Sequence, residues 1–457
     1  MSNISDKTII NLNKLQICCS KFPLLPSYVD MSERTILVWF RNDLRIHDNE
    51  ILLEAVRKAD KVLPVYCFDP YYFQKNASDS SKTGSVRAKF LLQSVADLRK
   101  NLRSSQSELI IRIGNPAEVL PQLALEYGVN EVYHHREVAH EETEISEQVE
   151  TALWKIKLNL KHFIGHTLYH KEDLPFPIKD IPDSFSIFKK KTERESAVRP
   201  VLDTPDIINT PSITDAGELP TLAQLGLEEP VDDARSRTRF VGGETNGLLR
   251  LEQYFAEVTE VNSGKSGRSA SKLSPWLSLG CLSMRQVYWA AKSHHSDALV
   301  LELLWRDYFR FMFKKHGTQY FSAGDSSTQN DVPCDQLFEK WKNGNTGVPV
   351  VDASMHKLNA TGYISNFSRQ TVASYLVNEL EIDWRRGAAY FEEKLIDYSP
   401  ASNWGNWAYV AGIGRNARDD RYFNSGKNLN ELDIKGDFIT RWLPSTPSNQ
   451  SPLAQAV

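Results

Sequence analysis

Cysteine is scarce in this chain of 457 residues, since only five are present, at scattered positions and without a C-x-x-C pair. That scarcity is typical of proteins in a reducing compartment. The cysteines do not have the spacing of a metal-binding site, so we expect no bound metal. Any redox chemistry must therefore come from a cofactor. Long apolar runs are also missing, and none approaches the roughly 20 residues that cross a membrane. Basic charge is not in excess, because the formal net charge is −4. This excludes a globally basic nucleic-acid binder and leaves room only for a local basic face.

The two ends of the chain lack the periodicity of packed elements. Residues 1–33 contain no hydrophobic signal-peptide segment, and Met31 stands just before the first convincing strand. We interpret this part as a disordered extension or as an over-called start. The polar, low-complexity residues 444–457 predict a disordered tail. A cytoplasmic location is the expectation, with organelle targeting by the N-terminal extension as a weaker alternative.

Residues 34–170 alternate strand and helix patterns. The apolar runs "TILVWF", "KVLPVYCFD", "ELIIRIG" and "EVYHHRE" predict strands, and helical patterns separate them. This order predicts βαβ units and a Rossmann-like parallel sheet. The first loop has no G-x-G-x-x-G, so a standard dinucleotide site is not expected there. Ligands of such sheets lie beyond the carboxyl ends of the strands, which makes Arg41, Asp43 and Glu137 candidates for a second, smaller site.

The composition changes in the second half of the chain. Residues 171–241 contain a stretch rich in Pro, Thr, Asp and Glu with little periodicity, which predicts an interdomain linker. Residues 242–443 are helical in pattern almost throughout and predict an all-α domain. Two domains also agree with the chain length, which exceeds that of one typical core.

One helix of this second domain carries charged residues inside an apolar run, "ALVLELLWRDYFRFMFKKH". Glu302, Trp305, Arg306 and Phe309 follow the spacing i, i+3, i+4, i+7 and so share one face. One interpretation is an internal Glu302–Arg306 ion pair that braces a core helix. The other is a polar stripe facing a cavity, with a carboxyl to hydrogen-bond a ligand and a Trp to pack on it.

Two further segments place polar residues at predicted helix starts. "SASKLSPWLSLGCLS" has hydroxyls and a lysine just before Pro275, where phosphate can bind; the alternative is ordinary N-capping. "TGYISNFSRQTVASYL" offers Asn366 and Arg369 at the start of another helix. The alternative there is again capping, with Arg369 as a solvated charge.

The stretch Ile382–Phe423 combines three tryptophans with Asn, Asp and Arg. Wide aromatic faces beside polar groups suit a flat polar ligand, because buried amides and charges need partners. A single tryptophan is more often a packing residue, which is the interpretation that we keep for Trp404.

Together these blocks resemble the photolyase/cryptochrome family, and within it the DASH cryptochrome branch. The resemblance covers Thr35 to Leu443 and depends on long motifs in the family's order. They are "VWFRNDLRIHDN", "HHREV", "SKLSPWLSLGCLS", "ELLWRDYFRF", "GVPVVDASMHKLNATGYISN", "SNWGNWAYVAGIG" and "ARDDRYFN".

The resemblance implies that the helical domain holds FAD in a U shape. The residues implied along its pyrophosphate and ribityl chain are Ser271, Lys272, Leu273 and Ser274. Those implied on the flavin side are Arg306, Asn366, Arg369, Asp397 and Ser399, and Asn403 would face flavin N5. In the α/β domain, Glu137 would contact a folate antenna, 5,10-methenyltetrahydrofolate.

The implied substrate is a cyclobutane pyrimidine dimer in DNA, preferentially single-stranded, split under blue light by a monomeric protein. Photolyases of duplex DNA flip the lesion out of the stack, and the family is a standard example of this. Glu302 would hydrogen-bond a pyrimidine carbonyl and Trp305 would pack on the lesion. The other residues implied at the DNA are Gln370, Tyr409, Arg418 and Arg421. Trp407 and Trp384 would be the inner and middle carriers of the chain that photoreduces the flavin.

The sequence departs from the family at several sites. No Trp stands near Asp331, where the outer electron carrier is expected, and Phe367 replaces an arginine beside the lesion. Ser399 replaces the second aspartate of an acidic pair. Asn366 and Gln370 argue against repair of (6-4) photoproducts, because the branch of the family that repairs them resembles enzymes with a pair of histidines at these positions. The alternatives are therefore a blue-light signalling cryptochrome without repair activity and, less favoured, a nucleic-acid binder without flavin.

Overall fold

The computed structural model describes residues 33–75, 81–262, 270–317, 332–412 and 437–443. Three positions discussed above lie outside the described residues, namely Asp331, Arg418 and Arg421. The N-terminal extension up to residue 32 and the tail 444–457 lie outside them as well.

Five parallel strands form the core of the N-terminal part, in the order β3-β2-β1-β4-β5. They are β1 (Thr35–Phe40), β2 (Lys61–Phe68), β3 (Ile110–Ile113), β4 (Val129–His135) and β5 (Leu160–Phe163). All six residues of β1 are buried, and alternate side chains join hydrophobic clusters on opposite faces of the sheet. A strand buried on both faces needs a continuous apolar run, which "TILVWF" supplies. The predicted Rossmann-like parallel sheet is confirmed.

Helices connect the strands, as the alternating pattern predicts. They are α1 (Glu50–Lys58), α2 (Ser85–Ser104), α3 (Pro116–Glu126) and α4 (His140–Lys155). Asn49 caps α1 by accepting a hydrogen bond from Leu52 N, and Pro116 opens α3, where its missing N–H has no consequence. Strand β5 escapes prediction because it has only four residues, with buried Leu160 its single aliphatic side chain.

The second part of the chain is helical. Its helices are α6 (Glu244–Asn262), α7 (Ser274–Ser278), α8 (Met284–Ser293), α9 (Asp297–His316), α10 (Val332–Lys342), α11 (Pro349–Thr361), α12 (Asn366–Ser374), α13 (Trp384–Lys394), α14 (Pro400–Val410) and α15 (Asp437–Trp442). A π-helical turn, Tyr375–Glu379, follows α12. Strands do not occur among the described residues between 242 and 443, so the predicted all-α class is confirmed.

The segment predicted as a linker contains a helix of its own, α5 (Phe185–Glu195). Phe188 and Thr192 of α5 are fully buried, and Phe188 joins a hydrophobic cluster with Tyr308 and Phe311 of α9. The segment therefore does more than connect two parts, because it packs on the helix that carries Glu302 and Trp305.

The loop after β1 contacts the turn between α7 and α8. Leu44 N donates to Leu279 O at 3.1 Å, and Arg45 Nη1 donates to Gly280 O at 2.8 Å. Gly280 has φ +62°, and a Cβ atom there would lie 1.9 Å from Asn42 O. Only glycine fits this close approach, which sets the position of the α/β part against the helices of the second part.

Candidate functional site

Polar side chains from α12, α14 and the segment between α13 and α14 line a small internal cavity. Arg369 Nη2 donates to both carboxylate oxygens of Asp397, at 3.0 and 2.8 Å, and its Nε donates to Ile364 O. Asp397 is 8% exposed, so this ion pair is largely removed from water. The remaining lining residues include Asn366, Gln370, Ser399, Asn403 and Trp407.

Asn403 is held by α13 at the edge of this cavity. Its Nδ2 donates to Ala388 O at 3.0 Å, and the residue is 7% exposed. This bond fixes the orientation of the amide, whose Oδ1 is the atom that can accept a hydrogen bond from a ligand. The cavity therefore combines a fixed cation, a carboxylate and an amide acceptor.

Ser365, and not Asn366 or Arg369, caps the start of α12. Ser365 Oγ accepts from Ser368 N, at 3.1 Å, and so caps the helix. Arg369 is not a solvated charge, since Asp397 and a backbone carbonyl engage its guanidinium. Asn366 is left free of the capping role and lines the cavity.

Glu302 and Arg306 do not pair with each other. Arg306 donates to the backbone carbonyls of His166 and, at 3.1 Å, Leu277, and burial lowers its pKa to about 10. The interpretation of an internal Glu302–Arg306 ion pair is therefore wrong. Arg306 is also absent from the lining of the cavity that holds Arg369, so the structure does not bring these two arginines together there.

Glu302 instead faces the loop before α7. The residue is exposed, but its carboxyl accepts a hydrogen bond from Ser271 Oγ at 3.1 Å. Withdrawal of this carboxyl from water raises its pKa above the ordinary value, and the bond from Ser271 acts in the opposite direction. Glu302 thus lies beside one of the four residues implied along the FAD pyrophosphate.

Trp305 is surrounded by aromatic rings of the same chain. Phe185 of α5 stacks on it with ring centroids 3.5 Å apart and planes inclined by 11°. Phe309 stacks more loosely at 5.6 Å, and Tyr409 of α14 meets it edge-on at 5.9 Å. The structure therefore brings Trp305 and Tyr409 together. Phe185 was missed because it lies in the predicted linker, although Phe185 and Phe188 already show a helical i, i+3 spacing.

The segment implied at the pyrophosphate is a short loop followed by one helical turn. Lys272 has φ +53°, and its Nζ donates to Thr238 Oγ1 at 3.0 Å. Arg250 braces the loop by donating to Ser271 O and Ala270 O. Leu273 is the N-cap of α7 and makes no side-chain capping bond, so N-capping by the hydroxyls is not what the structure shows. Ser274 is the first residue of that helix.

A cluster of cations lies next to this loop. Burial lowers the pKa of Lys357 to about 8, and the nearby positive charges of Lys272, Arg441 and Arg369 act in the same direction. In the part of the chain that the structure describes, no carboxylate pairs with Lys357. Arg369 has Asp397 as its counter-charge, but the described residues show no carboxylate paired with Lys272 or Arg441 either. Crowded cations of this kind suit an anion such as a pyrophosphate, so the donor set here fits FAD. Lys357 has no sequence signal, because its proximity to Lys272 arises only in the fold.

The tryptophans of α13 and α14 belong to one hydrophobic cluster but contact different rings. Trp407 contacts Trp341 at 6.3 Å between ring centroids, and Trp384 contacts Trp404 at 5.7 Å. No contact joins the rings of Trp407 and Trp384 in the described part of the molecule. Trp341, fully buried on α10, is a neighbour of Trp407 that the motifs did not single out.

Trp404 packs as expected and also donates from Nε1 to Tyr398 OH at 3.2 Å. It lines a second, larger cavity of about 350 Å³ between the α/β part and the helical part. This interdomain cavity lies at the carboxyl ends of β1 and β2. Its polar lining residues include Arg41, Asn42, Asp69, Lys82, Glu142 and Arg310.

Glu137 lies beneath this interdomain cavity and is 2% exposed. It accepts hydrogen bonds from Asn42 Nδ2 at 2.9 Å and Arg310 Nη2 at 2.8 Å. Burial alone would raise its pKa, but His166, Arg310 and Arg41 together hold the pKa of Glu137 below the ordinary value. Glu137 therefore acts on the cavity through Asn42 and Arg310, which line it, rather than facing the cavity itself.

Two other acidic residues complete this region. Burial and the neighbouring Glu137 raise the pKa of Glu142, which favours the protonated form of its carboxyl. Asp43 is 1% exposed and is enclosed by His135 Nδ1 at 2.6 Å and by Arg41 N at 2.7 Å. Asp43 is thus a structural carboxylate, while Arg41 and Glu142 face the cavity.

Comparison with known families agrees with this geometry. Residues 36–206 match the family described as DNA photolyase, and residues 299–454 match the FAD binding domain of DNA photolyase. A cryptochrome DASH of Gloeobacter violaceus is 45% identical over 433 residues, which cover 91% of this chain and 86% of that protein. The chain belongs to the cryptochrome DASH branch of the photolyase/cryptochrome family. Its helical part is therefore an FAD-binding domain, as the motifs imply.

Other relatives support the same family membership. The cryptochrome DASH of Natronomonas pharaonis is 43% identical, with 92% of each chain covered. The crystal structure of a Synechocystis sp. PCC6803 cryptochrome superposes with a TM-score of 0.84 at 41% identity, covering 90% of this chain and 89% of that one. An Arabidopsis thaliana relative, 40% identical over 89% of this chain and 75% of its own, is named chloroplastic/mitochondrial. Within the described residues, every helix is too short or too polar to cross a membrane.

Proposed function

We propose that this cryptochrome DASH is an FAD-dependent photolyase that splits cyclobutane pyrimidine dimers under blue light, preferentially in single-stranded DNA. The observation that carries the proposal is the pairing of α9 with α14. Trp305 of α9 meets Tyr409 of α14, and six residues earlier α14 presents Asn403 to the cavity of Arg369. The residues proposed to contact the lesion and a residue proposed to contact FAD thus lie on the same pair of helices.

Several polar groups of the chain would hold FAD on this proposal. Lys272 and Lys357 would hold the pyrophosphate, and the Arg369–Asp397 pair would fix the flavin ring beside Asn403 Oδ1. FAD supplies light absorption and one-electron transfer when it is bound. The apolar cluster around Trp407 and Trp341 keeps water from the side of the cavity opposite these polar groups.

On the substrate side, Glu302 would donate a hydrogen bond to a pyrimidine carbonyl oxygen. Its raised pKa favours the protonated form that such donation needs. The stack of Phe185 on Trp305, together with Tyr409, would pack on the apolar faces of the dimer. Gln370, which lines the cavity of Arg369, would be a polar neighbour. A single strand suits this arrangement, because a lesion that has no base-pairing partner enters a pocket without the free-energy cost of unpairing.

We also propose that the interdomain cavity holds a 5,10-methenyltetrahydrofolate antenna. Protonated Glu142 can donate to a pterin nitrogen, while Arg41 and Arg310 can bind the acidic end of the folate. Glu137 holds Arg310 and Asn42 in place for this contact. A structure related to this chain, a photolyase of Sulfolobus tokodaii with 27% identity and a TM-score of 0.74 over 90% of each chain, is described with two FAD molecules and a novel light-harvesting cofactor.

The test is illumination of the purified protein, a monomer on our proposal, with dimer-containing oligo(dT) under reducing conditions. We expect a yellow protein that restores the thymine absorbance, faster with single-stranded than with duplex substrate. A yellow protein that leaves the dimers intact would support the signalling alternative, which Phe367 and the missing tryptophan at Asp331 also favour. A colourless protein that FAD cannot reconstitute would overturn both.

A further inference from the structure

An open groove runs along the outer face of α5, next to Trp305. Leu301 of α9 forms one part of its wall, and the rest comes from α5, namely Phe185, Ser186, Lys189, Lys190, Glu193 and Arg194, so that three cations stand against one acid. We call this surface the α5 groove. We propose that the α5 groove binds the backbone of a single DNA strand that continues from the lesion site, an inference that rests on the proposed function.

Helix α5 presents this face because its other face is buried. Phe188 and Thr192 are fully buried, and Phe188 packs on Tyr308 of α9 at 5.6 Å between ring centroids. Side chains three and four residues apart share a helix face, so Ser186 and Lys190 project away from this buried stripe into the groove. The groove is thus carried by a helix anchored on α9 and does not depend on a loose loop.

The aromatic end of the groove joins it to the lesion side. Phe185 stacks on Trp305 at 3.5 Å with nearly parallel rings, and Tyr409 meets the edge of the same indole. Aromatic rings in this arrangement form a platform on which bases of a single strand stack, whatever their sequence. A strand leaving Trp305 would therefore pass Phe185 before it reaches the lysines.

The charge of α5 fits a phosphate backbone. The helix carries four cations, Lys189, Lys190, Lys191 and Arg194, against two acids, Glu193 and Glu195, in a protein whose formal net charge is −4. Of the groove cations, Lys190 pairs with no carboxylate in the described part of the chain, whereas Arg194 pairs with Glu195. Lys189 reaches Glu193 only at 4.0 Å. A local basic face on an acidic protein is the expected electrostatic signature of nucleic-acid binding.

These features favour a nucleic acid over an acidic protein partner. Basic residues alone would serve either partner, but a coplanar Phe–Trp stack at the end of the basic groove is a platform for bases. The groove also begins one residue before Glu302, at Leu301, which is 36% exposed. Its position therefore extends the proposed lesion site along one strand.

The experiment compares two double charge reversals by the anisotropy of labelled, undamaged oligo(dT) at several salt concentrations. Lys189→Glu with Lys190→Glu alters the groove. Lys100→Glu with Lys155→Glu makes the same change of charge at exposed positions on α2 and α4. We expect the groove variant to weaken binding at least tenfold at low salt and to reduce the salt slope of log K by about 1.4, since each phosphate contact to a single strand contributes about 0.7. The control should stay within twofold of the wild type.

Phe185→Leu, with Ile187→Leu as its control on the same helix, tests the aromatic end. Loss of affinity in Phe185→Leu alone, with unchanged thermal unfolding, would support stacking on this platform. Equal affinity of the wild type and both charge-reversal variants would overturn the inference while leaving repair activity, and so the proposed function, intact. A wild type that repairs nothing and binds no oligo(dT) would overturn both.

Discussion

At the scale of single residues, Glu302 is the side chain whose chemistry the fold changes most. The sequence left two interpretations of it, and the structure removes the ion pair with Arg306 by engaging that arginine with two backbone carbonyls. Glu302 then keeps one neutral partner, Ser271, and a raised pKa. The raised pKa moves this carboxyl towards its protonated form, and only that form can donate a hydrogen bond.

We therefore predict that Glu302→Ala lowers the rate of dimer repair by about 10–100-fold with little loss of FAD. A hydrogen bond to a group that becomes charged is worth about 1.5–3 kcal/mol, and each 1.36 kcal/mol is about tenfold in rate. The measurements are single-turnover repair and the ratio of flavin to protein absorbance. Glu302→Gln, which keeps a donor, should retain more activity than the alanine variant. Loss of flavin in both variants would show that Glu302 mainly supports the Ser271 loop.

At the scale of elements, the packing of α10, α13 and α14 determines which tryptophans touch. Trp407 and Trp384 come from separate helices, and their family roles were carried over from motifs alone. The structure puts both in one apolar cluster but gives Trp407 the ring of Trp341 as its neighbour. Spacing within a sequence cannot reveal this contact, because α10 and α14 lie far apart along the chain.

We predict that Trp407→Phe slows photoreduction of the flavin more than Trp384→Phe does. Trp407 lines the cavity of Arg369 and Asp397, whereas Trp384 does not, so Trp407 is the nearer donor. The rate is followed by the bleaching of oxidised flavin absorbance under blue light with an external thiol. Trp154→Phe, at a 69% exposed position on α4, is the control and should behave as the wild type. Equal rates in all four proteins would contradict this order of donors.

The same elements show how far prediction from sequence reached. Strands β1 and β2 and the helices between them follow from local patterns, because each pattern reports burial of its own element. The stack of Phe185 on Trp305 joins a predicted linker to α9, and the cluster of Lys357 and Lys272 joins α11 to the loop before α7. Such contacts between distant elements have no local signature.

At the scale of the whole molecule, the junction of the α/β part and the helical part is highly polar. Arg285 of α8 pairs with the buried Asp48 after β1, and Arg310 of α9 pairs with the buried Glu137 after β4. Ion pairs with buried partners are geometrically demanding, and removal of one partner leaves an uncompensated charge. The junction therefore orients the two parts and shapes the interdomain cavity between them.

Glu142 at this junction should make stability depend on pH. Its pKa is raised from 4.5 to about 8, so its contribution is fully present below about pH 4.5 and is lost as the pH rises towards 8. We predict that Glu142→Gln, which mimics the protonated acid, raises the midpoint of thermal unfolding by roughly 2–4 °C at pH 8. At pH 4 the midpoints of variant and wild type should agree. Glu144→Gln, at an exposed position of α4, is the control, and an equal gain at both pH values would refute the assignment.

The sequence by itself determined the order of the elements, the parallel sheet, the helical FAD-binding domain and the family, because these depend on local periodicity and on contiguous motifs. The tertiary structure alone decided that Arg306 turns to backbone carbonyls, that Glu137 acts through Arg310, and that Phe185 covers Trp305. The physical reason is that a side chain's partners depend on which elements pack together. Burial then decides which of those partners a charge must take.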